Sequence, residues 1–265
     1  MALSDTTLRL TILGSGTSMG VPSLTCACRV CRSLDPRDHR LRPSALLSRG
    51  GHHVVIDTTP DFRQQALRVG LDRLDAVLLT HAHADHILGF DDIRPFNIRQ
   101  QAAIPVHASE DTLLILRRAF AYIFDGQPKL SSIPQVTLHV IRGPLELLGT
   151  SMTPIPARHG DSDVLGFRFG SAAYLTDFSD LPASSKALLT GLDDLILDAL
   201  RDTPHPMHCT VEQALAYVVE LQPRRAWFTH IAHELPHEET NERISSLGYP
   251  QVQLAYDGLS FEVRP

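Results

Sequence analysis

The stretch "DAVLLTHAHADHILGF", Asp75 to Phe90, restricts the fold more than any other part of the chain. An apolar run ends at Thr80 and releases His81, His83, Asp85 and His86 into the following turn. Alternate residues of an extended segment point the same way, so His81 and His83 can grip one ion. Asp85 and His86 are displaced as the chain turns toward a helix. They can reach a second ion a few ångströms away, the separation that two-metal hydrolysis uses. Four ligand-type residues this close together at a strand end point to a metal site rather than to a polar loop.

Composition agrees with that direction. Fourteen histidines in 265 residues, several grouped beside acidic residues, favour metal binding. Hydrophobic content of 43% and charged content of 20% fit a globular protein, and the apolar runs are far too short to span a bilayer. The opening "MALSDTTLRLTILG" lacks a basic region followed by an apolar stretch, so no secretion signal and a cytoplasmic location are expected. The net charge of −6 argues against a general nucleic-acid binder and leaves room for a small anionic substrate.

Short β-branched or apolar runs predict strands at "TLRLTIL", "SALLSR", "HVVIDT", "DAVLLT", "VTLHVI", "SMTPIPA", "VLGFRF", "AAYLT", "DDLILDA", "AWFTH" and "VQLAYDG". Helical patterns lie between them: "DFRQQALRVG", "EDTLLILRRAFAYIF", "TVEQALAYVVELQ" opened by Thr210 as N-cap, and "HEETNERISSLG" closed by Gly248. Hairpin-like successions of strands predict mixed sheets rather than simple βαβ alternation. One domain is expected, with Asp125 to Pro134 the nearest thing to an internal boundary.

A second concentration of ligands lies in "TILGSGTSMGVPSLTCACRVC", which places three of the four cysteines between Cys26 and Cys31. Cysteines as close as Cys26 and Cys28 seldom reach the Cα separation of a relaxed bridge. In a reducing compartment they are metal ligands or reactive thiols. Cys209 reads as a small buried hydrophobe.

The His-x-His-x-Asp-His segment resembles the metal signature of the metallo-β-lactamase superfamily, and the resemblance covers nearly the whole chain. It implies an α/β (α+β) fold, the αββα sandwich of two mixed β-sheets flanked by helices, as one domain over residues 1–265. It also implies that His81, His83 and His159 hold one metal, that Asp85, His86 and His230 hold the other, and that Asp177 bridges them. His159 in "IPARHGD", Asp177 in "AAYLTDFSD" and His230 in "AWFTHIAH" each follow a predicted strand. Within the superfamily, "GSGTSMGVPSLTCACRVC", "RPSALL" and "HADHILGFDDIRPFN" resemble the phosphoribosyl cyclic phosphate phosphodiesterase branch. That branch implies a structural zinc on Cys26, Cys28, Cys31 and His233, a closed tetrahedron that stabilises and does not react.

The implied activity is metal-dependent hydrolysis of a small cyclic or nucleotide-like phosphodiester by a hydroxide bridging two divalent ions, zinc or manganese. Asp85 and His208 are the residues placed in the chemistry itself. His208, in an "HCT" element resembling the second catalytic histidine region of related phosphodiesterases, would protonate the leaving group. His205 reads as exposed loop, and Arg94 and Arg99 as either rim contacts or a solvated charged loop. The alternatives are a ribonuclease Z-like tRNA processing nuclease, a lactonase or thioesterase, and a non-catalytic accessory of cofactor biosynthesis. The partner expected is a small diester, with no membrane and no general nucleic-acid binding. A homodimer is expected because branch relatives are often dimers.

Overall fold

A computed structural model describes residues 6–264; the first five residues, part of the stretch read as lacking a secretion signal, and Pro265 lie outside them. The strands are β1 (Leu8–Gly14), β2 (Ser44–Arg49), β3 (His52–Ile56), β4 (Ala76–Leu78), β5 (Ile104–Ala108), β6 (Val136–Val140), β7 (Leu145–Leu147), β8 (Thr150–His159), β9 (Ser162–Phe169), β10 (Ala172–Leu175), β11 (Asp194–Asp198), β12 (Arg225–Thr229), β13 (Val252–Leu254) and β14 (Ser260–Val263). The α-helices are α1 (Phe62–Val69), α2 (Ala84–Ile87), α3 (Arg94–Gln100), α4 (Glu110–Ala119), α5 (Ala121–Phe124), α6 (Ala183–Ala187), α7 (Val211–Leu221) and α8 (His237–Ser246).

Two 7-stranded sheets form, in the orders β14-β1-β2-β3-β4-β5-β6 and β13-β12-β11-β10-β9-β8-β7. Each is mixed. The run β3 to β6 is parallel and β14 to β3 antiparallel; in the second sheet β10 to β13 are parallel and β7 to β10 antiparallel. The expected mixed-sheet sandwich is therefore present.

Alternation along the strands explains the layering. Leu8, Leu10 and Ile12 of β1, Val54 and Ile56 of β3, and Phe167, Phe169 and Tyr174 of the second sheet meet in one cluster between the sheets. Val55 and Val77 point the other way and pack under helices with Phe62, Leu113 and Leu116. The second sheet is covered likewise, Leu195 and Leu197 lying against Ala214, Leu215, Val218 and Ile244. Central parallel strands are thus apolar on both faces, as strands covered on both sides must be. Such runs are short here: among the described residues no helix is long and apolar enough to cross a membrane.

The helices start and stop for local reasons. Thr210 caps α7 by accepting from Gln213 N at 3.1 Å, while the Gln213 side chain accepts from Thr210 N at 2.8 Å. Gly70 ends α1 in the left-handed conformation, at φ 65°. Two details differ from the sequence reading. The pattern "EDTLLILRRAFAYIF" does not make one helix, because Phe120 leaves helical geometry (φ −115°, ψ 43°) and packs its ring 5.3 Å from that of Phe90. Residues 125–134 join α5 to β6 within the first sheet's layer; the chain passes between sheets later, from β6 to β7.

Candidate metal centre

Parallel strands deliver the site. β3, β4, β10, β11 and β12 point their C-terminal ends toward one edge of the sandwich, where a residue just past each strand can meet the others, and β8 adds His159 at its own end. After β4, His81 and His83 leave an extended segment, His83 stands at the N-cap of α2, and Asp85 and His86 lie in its single turn. Gly89 closes this turn. A Cβ there would sit 1.9 Å from Thr59 O, so no other residue fits beneath the motif. Asp177 and His230, past β10 and β12, adopt φ values of 52° and 60°, which swings their side chains back across the strand ends.

The ligand atoms fall into two groups that share Asp177. Those of His81, His83, His159 and Asp177 lie within 4.8 Å of one another, as do those of Asp85, His86, Asp177 and His230. Asp177 Oδ2 stands 3.3 Å from His86 Nε2 and from His230 Nε2, and 4.0 Å from His81 Nε2 and from His159 Nε2. Ligands about 2.0–2.1 Å from one tetrahedral zinc would stand about 3.3 Å apart. The other carboxylate oxygen, Oδ1, is occupied by the Thr176 hydroxyl at 2.6 Å, which leaves Oδ2 to face the cluster.

Hydrogen bonds set the imidazole tautomers. His86 Nδ1 donates to Asp57 Oδ2 at 2.8 Å, His159 Nδ1 to Met207 O at 2.7 Å, and His81 Nδ1 to Thr80 Oγ1 at 3.0 Å. Thr80 passes its own hydroxyl proton to Asp57 Oδ2 at 2.8 Å. With Nδ1 engaged as donor, each ring presents a bare Nε2, the arrangement that metal-ligating histidines adopt. The buried atoms His81 Nε2, His86 Nε2, His230 Nε2 and Asp85 Oδ2 have no hydrogen-bond partner. Orphaned buried acceptors are costly, at roughly 1–3 kcal/mol each, and cations placed among them remove that cost.

Charge points the same way. Burial alone would lower His86, yet the carboxylates of Asp177, Asp57 and Asp85 carry it well above its usual range. Burial likewise opposes charge on His230, and Asp177 and Asp85 still lift it to about 9. Burial would raise Asp177 and Asp85, but the neighbouring imidazoliums hold both low. Buried carboxylates here demand positive charge, and a site that holds it as imidazolium protons can exchange them for metal ions. The residues fit a metal pair.

Behind this pair stands His208, in the loop between β11 and α7. Its Nδ1 lies 2.6 Å from Asp198 Oδ2, and its ring stacks on that of His230 at 4.5 Å and 14°. His205 is half-buried, its ring 5.0 Å from that of His208, and so is not the fully exposed loop residue expected. Asp57, Thr80, Thr176 and Asp198 are site residues the sequence reading missed. Asp57 and Asp198 end the runs "HVVIDT" and "DDLILDA", the same strand-end position that marked Asp177, and that position was their available signal.

The cysteines converge as a separate cluster. Cys26, Cys28 and Cys31 Sγ lie 3.2, 3.4 and 3.6 Å from His233 Nδ1, and all are free. Backbone N–H groups point at sulfur, Cys31 N to Cys28 Sγ and Ser23 N to Cys31 Sγ, each at 3.4 Å. The Cys31 N–H, then His233 and the other thiols, bring Cys28 down to about 6, while burial lifts Cys31 to about 11. Four soft donors around one point suit a closed zinc site. Cys209 is buried in the apolar cluster under α7, as expected.

A cleft of about 770 Å³ opens beside His81 and His83, between α4 and the start of β9. Arg118 lines it; Arg94 and Arg99 do not, being paired with Asp91 and Asp72 elsewhere on the surface.

A family profile described as "Beta-lactamase superfamily domain" matches residues 52–231. The chain belongs to the metallo-β-lactamase superfamily. It is similar to a structure described as a new diphosphatase from the PhnP family, with 48% identity and a TM-score of 0.89 over 97% of this chain and 98% of that one. The Zn(2+)-bound PqqB of Methylobacterium extorquens, at 20% identity and a TM-score of 0.76 over 96% of this chain and 100% of that one, shares the fold. Among curated sequences, a Porphyromonas gingivalis protein named octanoyltransferase is 37% identical over 95% of this chain and 51% of its own length. A ribonuclease Z of Bradyrhizobium diazoefficiens is 32% identical over 52% of this chain and 47% of its own. The chain thus spans about half the length of these curated relatives.

Proposed function

We propose that the chain hydrolyses a small phosphodiester at the paired His/Asp clusters. The observation that carries this reading is Asp177 Oδ2, set between four imidazole nitrogens at 3.3 and 4.0 Å, with His208 stacked against one of those rings. His81, His83 and His159 would hold one divalent ion, Asp85, His86 and His230 the other, and Asp177 both. When bound, such ions polarise a phosphoryl oxygen, acidify water toward neutral pH and, with only Asp85 and Asp177 as anionic ligands, leave positive charge that an anionic diester complements.

The protein's own groups supply the rest. Asp57 and Thr80 hold His86 and His81 in the tautomer that offers Nε2. Asp198 accepts from His208 Nδ1 and so fixes the ring, and as a carboxylate it favours a second proton on that ring; with Nε2 also protonated, His208 can donate to a phosphoryl oxygen or to the leaving alkoxide. The Cys/His cluster would hold a zinc that fixes the backbone following His230. The names diphosphatase and ribonuclease Z, borne by the relatives, both describe cleavage at phosphorus, which supports this reaction class.

The test compares bis(p-nitrophenyl) phosphate, a lactone, a thioester and a precursor tRNA on protein reconstituted with zinc or manganese. The diester is turned over and chelation abolishes the turnover. A lactone or thioester hydrolysed faster than the diester sinks the reading; preferential tRNA cleavage replaces it with the ribonuclease Z one.

A further inference from the structure

The helix α4 has two faces of different kinds. Thr112, Leu113 and Leu116 are buried against the first sheet. Asp111, Leu114, Ile115 and Arg118, spaced i, i+3, i+4, i+7, form a second stripe that lines the cleft beside the metal centre. Leu114 and Ile115 are 49% and 46% exposed there, an apolar pair on a solvent-facing stripe where charged residues would be expected. Across the cleft stand Asp161, Asp163 and Val164 at the start of β9. This wall is fixed to the metal motif, because Leu165 N donates to Thr80 O at 3.0 Å. The cleft is continuous with the centre through His81, whose buried Nε2 has no partner, and through exposed His83.

Size, surface and charge together specify an occupant. At about 770 Å³ the cleft falls in the range of sites that enclose an organic group of many atoms. Asp163 is paired with Arg158 at 2.5 Å, which leaves the carboxylates of Asp111 and Asp161 facing the one guanidinium of Arg118, so a second phosphate would meet an unfavourable field. A group with a flat apolar face and hydrogen-bonding edges meets a favourable one. Leu114 and Ile115 can pack on the face, the Arg118 guanidinium can donate to ring carbonyls, and Asp111 can accept from ring N–H groups.

We propose that this cleft is the subsite for the non-reacting organic group of the diester, that Leu114, Ile115 and Arg118 select a nucleoside there over a small alkyl group, and that Asp111 and Asp161 disfavour a second phosphate. The inference rests on the phosphodiesterase reading and names its substrate class.

The experiment holds the leaving group constant. Thymidine 5′-(p-nitrophenyl phosphate) is compared with methyl p-nitrophenyl phosphate on the metal-loaded protein, and binding of thymidine 5′-monophosphate is measured by calorimetry. The nucleoside ester is expected to have a kcat/KM more than about tenfold above that of the methyl ester. The double substitution Leu114→Ser, Ile115→Ser, on a half-exposed helix face, brings that ratio to near one and weakens nucleotide binding. Arg118→Ala reduces the ratio by a smaller factor. Equal kcat/KM for the two esters, or a ratio unmoved by the double substitution, overturns the subsite and leaves the phosphodiesterase reading standing. Hydrolysis of neither ester overturns both.

Discussion

At the scale of the residue, the proposed chemistry beyond metal binding rests on His208. It belongs to neither of the clusters that share Asp177, its Nδ1 is engaged by Asp198 at 2.6 Å, and it stacks on His230. His208→Ala therefore keeps the proposed ligands of both ions, and metal content should be unchanged. A diester with an alkoxide leaving group needs a proton in the transition state and should lose roughly 10²- to 10⁴-fold in kcat. p-Nitrophenolate departs without one, so its ester should lose far less. Asp198→Asn should reproduce the effect in weaker form, because a neutral amide no longer supports protons on both ring nitrogens at once. Equal losses on the two leaving groups would make His208 a phosphate contact, and a loss of metal would make it a ligand. His208 stood out in the sequence because it lies in an "HCT" element. Asp198, its partner, did not, since a lone aspartate after an apolar run reads as an ordinary turn residue.

At the scale of the element, the same contrast decides what could be read. Strand interiors were legible because β3, β4 and β11 are apolar on both faces, and the cluster from His81 to His86 was legible because its residues are adjacent. The backbone geometry just past the strands was not: Asp177 and His230 were reached only through the family resemblance, and Asp57 not at all. Asp57, Asp177 and His230 sit at φ 65°, 52° and 60°, a left-handed backbone that costs about 1 kcal/mol or more for such residues and leaves no periodic trace. The loop from Ser15 to Arg40 shows how such a strand end is held. Ile231 N donates to Ser15 O at 2.9 Å and Thr17 N to Ile231 O at 3.2 Å, while the cysteines close on His233. Two independent ties thus hold the His230 segment. Cys28→Ser should remove one of them, lowering bound zinc by one ion per chain and Tm by on the order of 10 °C, since several kcal/mol are at stake and each shifts Tm by about 2–4 °C at this size. The surviving backbone ladder should preserve appreciable activity in the folded fraction. An inactive variant of undiminished stability would show that the thiol has a chemical role instead.

At the scale of the whole molecule, the N-terminal loop, the β13–β14 connection and α8 meet on one buried cation. Arg40 is 2% exposed; it donates to Ser15 Oγ at 2.9 Å, to the Ala255 carbonyl, and to His237 Nδ1 at 3.1 Å. Burial lowers Arg40 to about 10, so it remains charged at neutral pH. His237, itself 3% exposed and tied through its backbone N–H to Asp38 Oδ1 at 2.7 Å, must therefore stay neutral. Burial first, and then the Arg40 charge, bring it to about 4. In the unfolded chain the same imidazole titrates near 6.5. Between these values the unfolded state binds a proton that the folded state refuses, so this contribution is complete above about pH 6.5 and is lost as pH falls toward 4, on the order of 3 kcal/mol in all. Protons compete with any bound cations for the His/Asp clusters as pH falls, so the wild-type slope alone does not isolate His237. His237→Asn does: the amide oxygen can accept from Arg40 in place of Nδ1 and does not titrate. The variant should be less stable than wild type at pH 7.5, because it leaves part of the imidazole volume unfilled. By pH 5 the Tm difference should shrink, since only the wild type has carried the proton penalty. A difference that stays constant from pH 7.5 to 5 would mean that Arg40 and Asp38 yield to let the imidazole charge, and that this junction is softer than its burial implies.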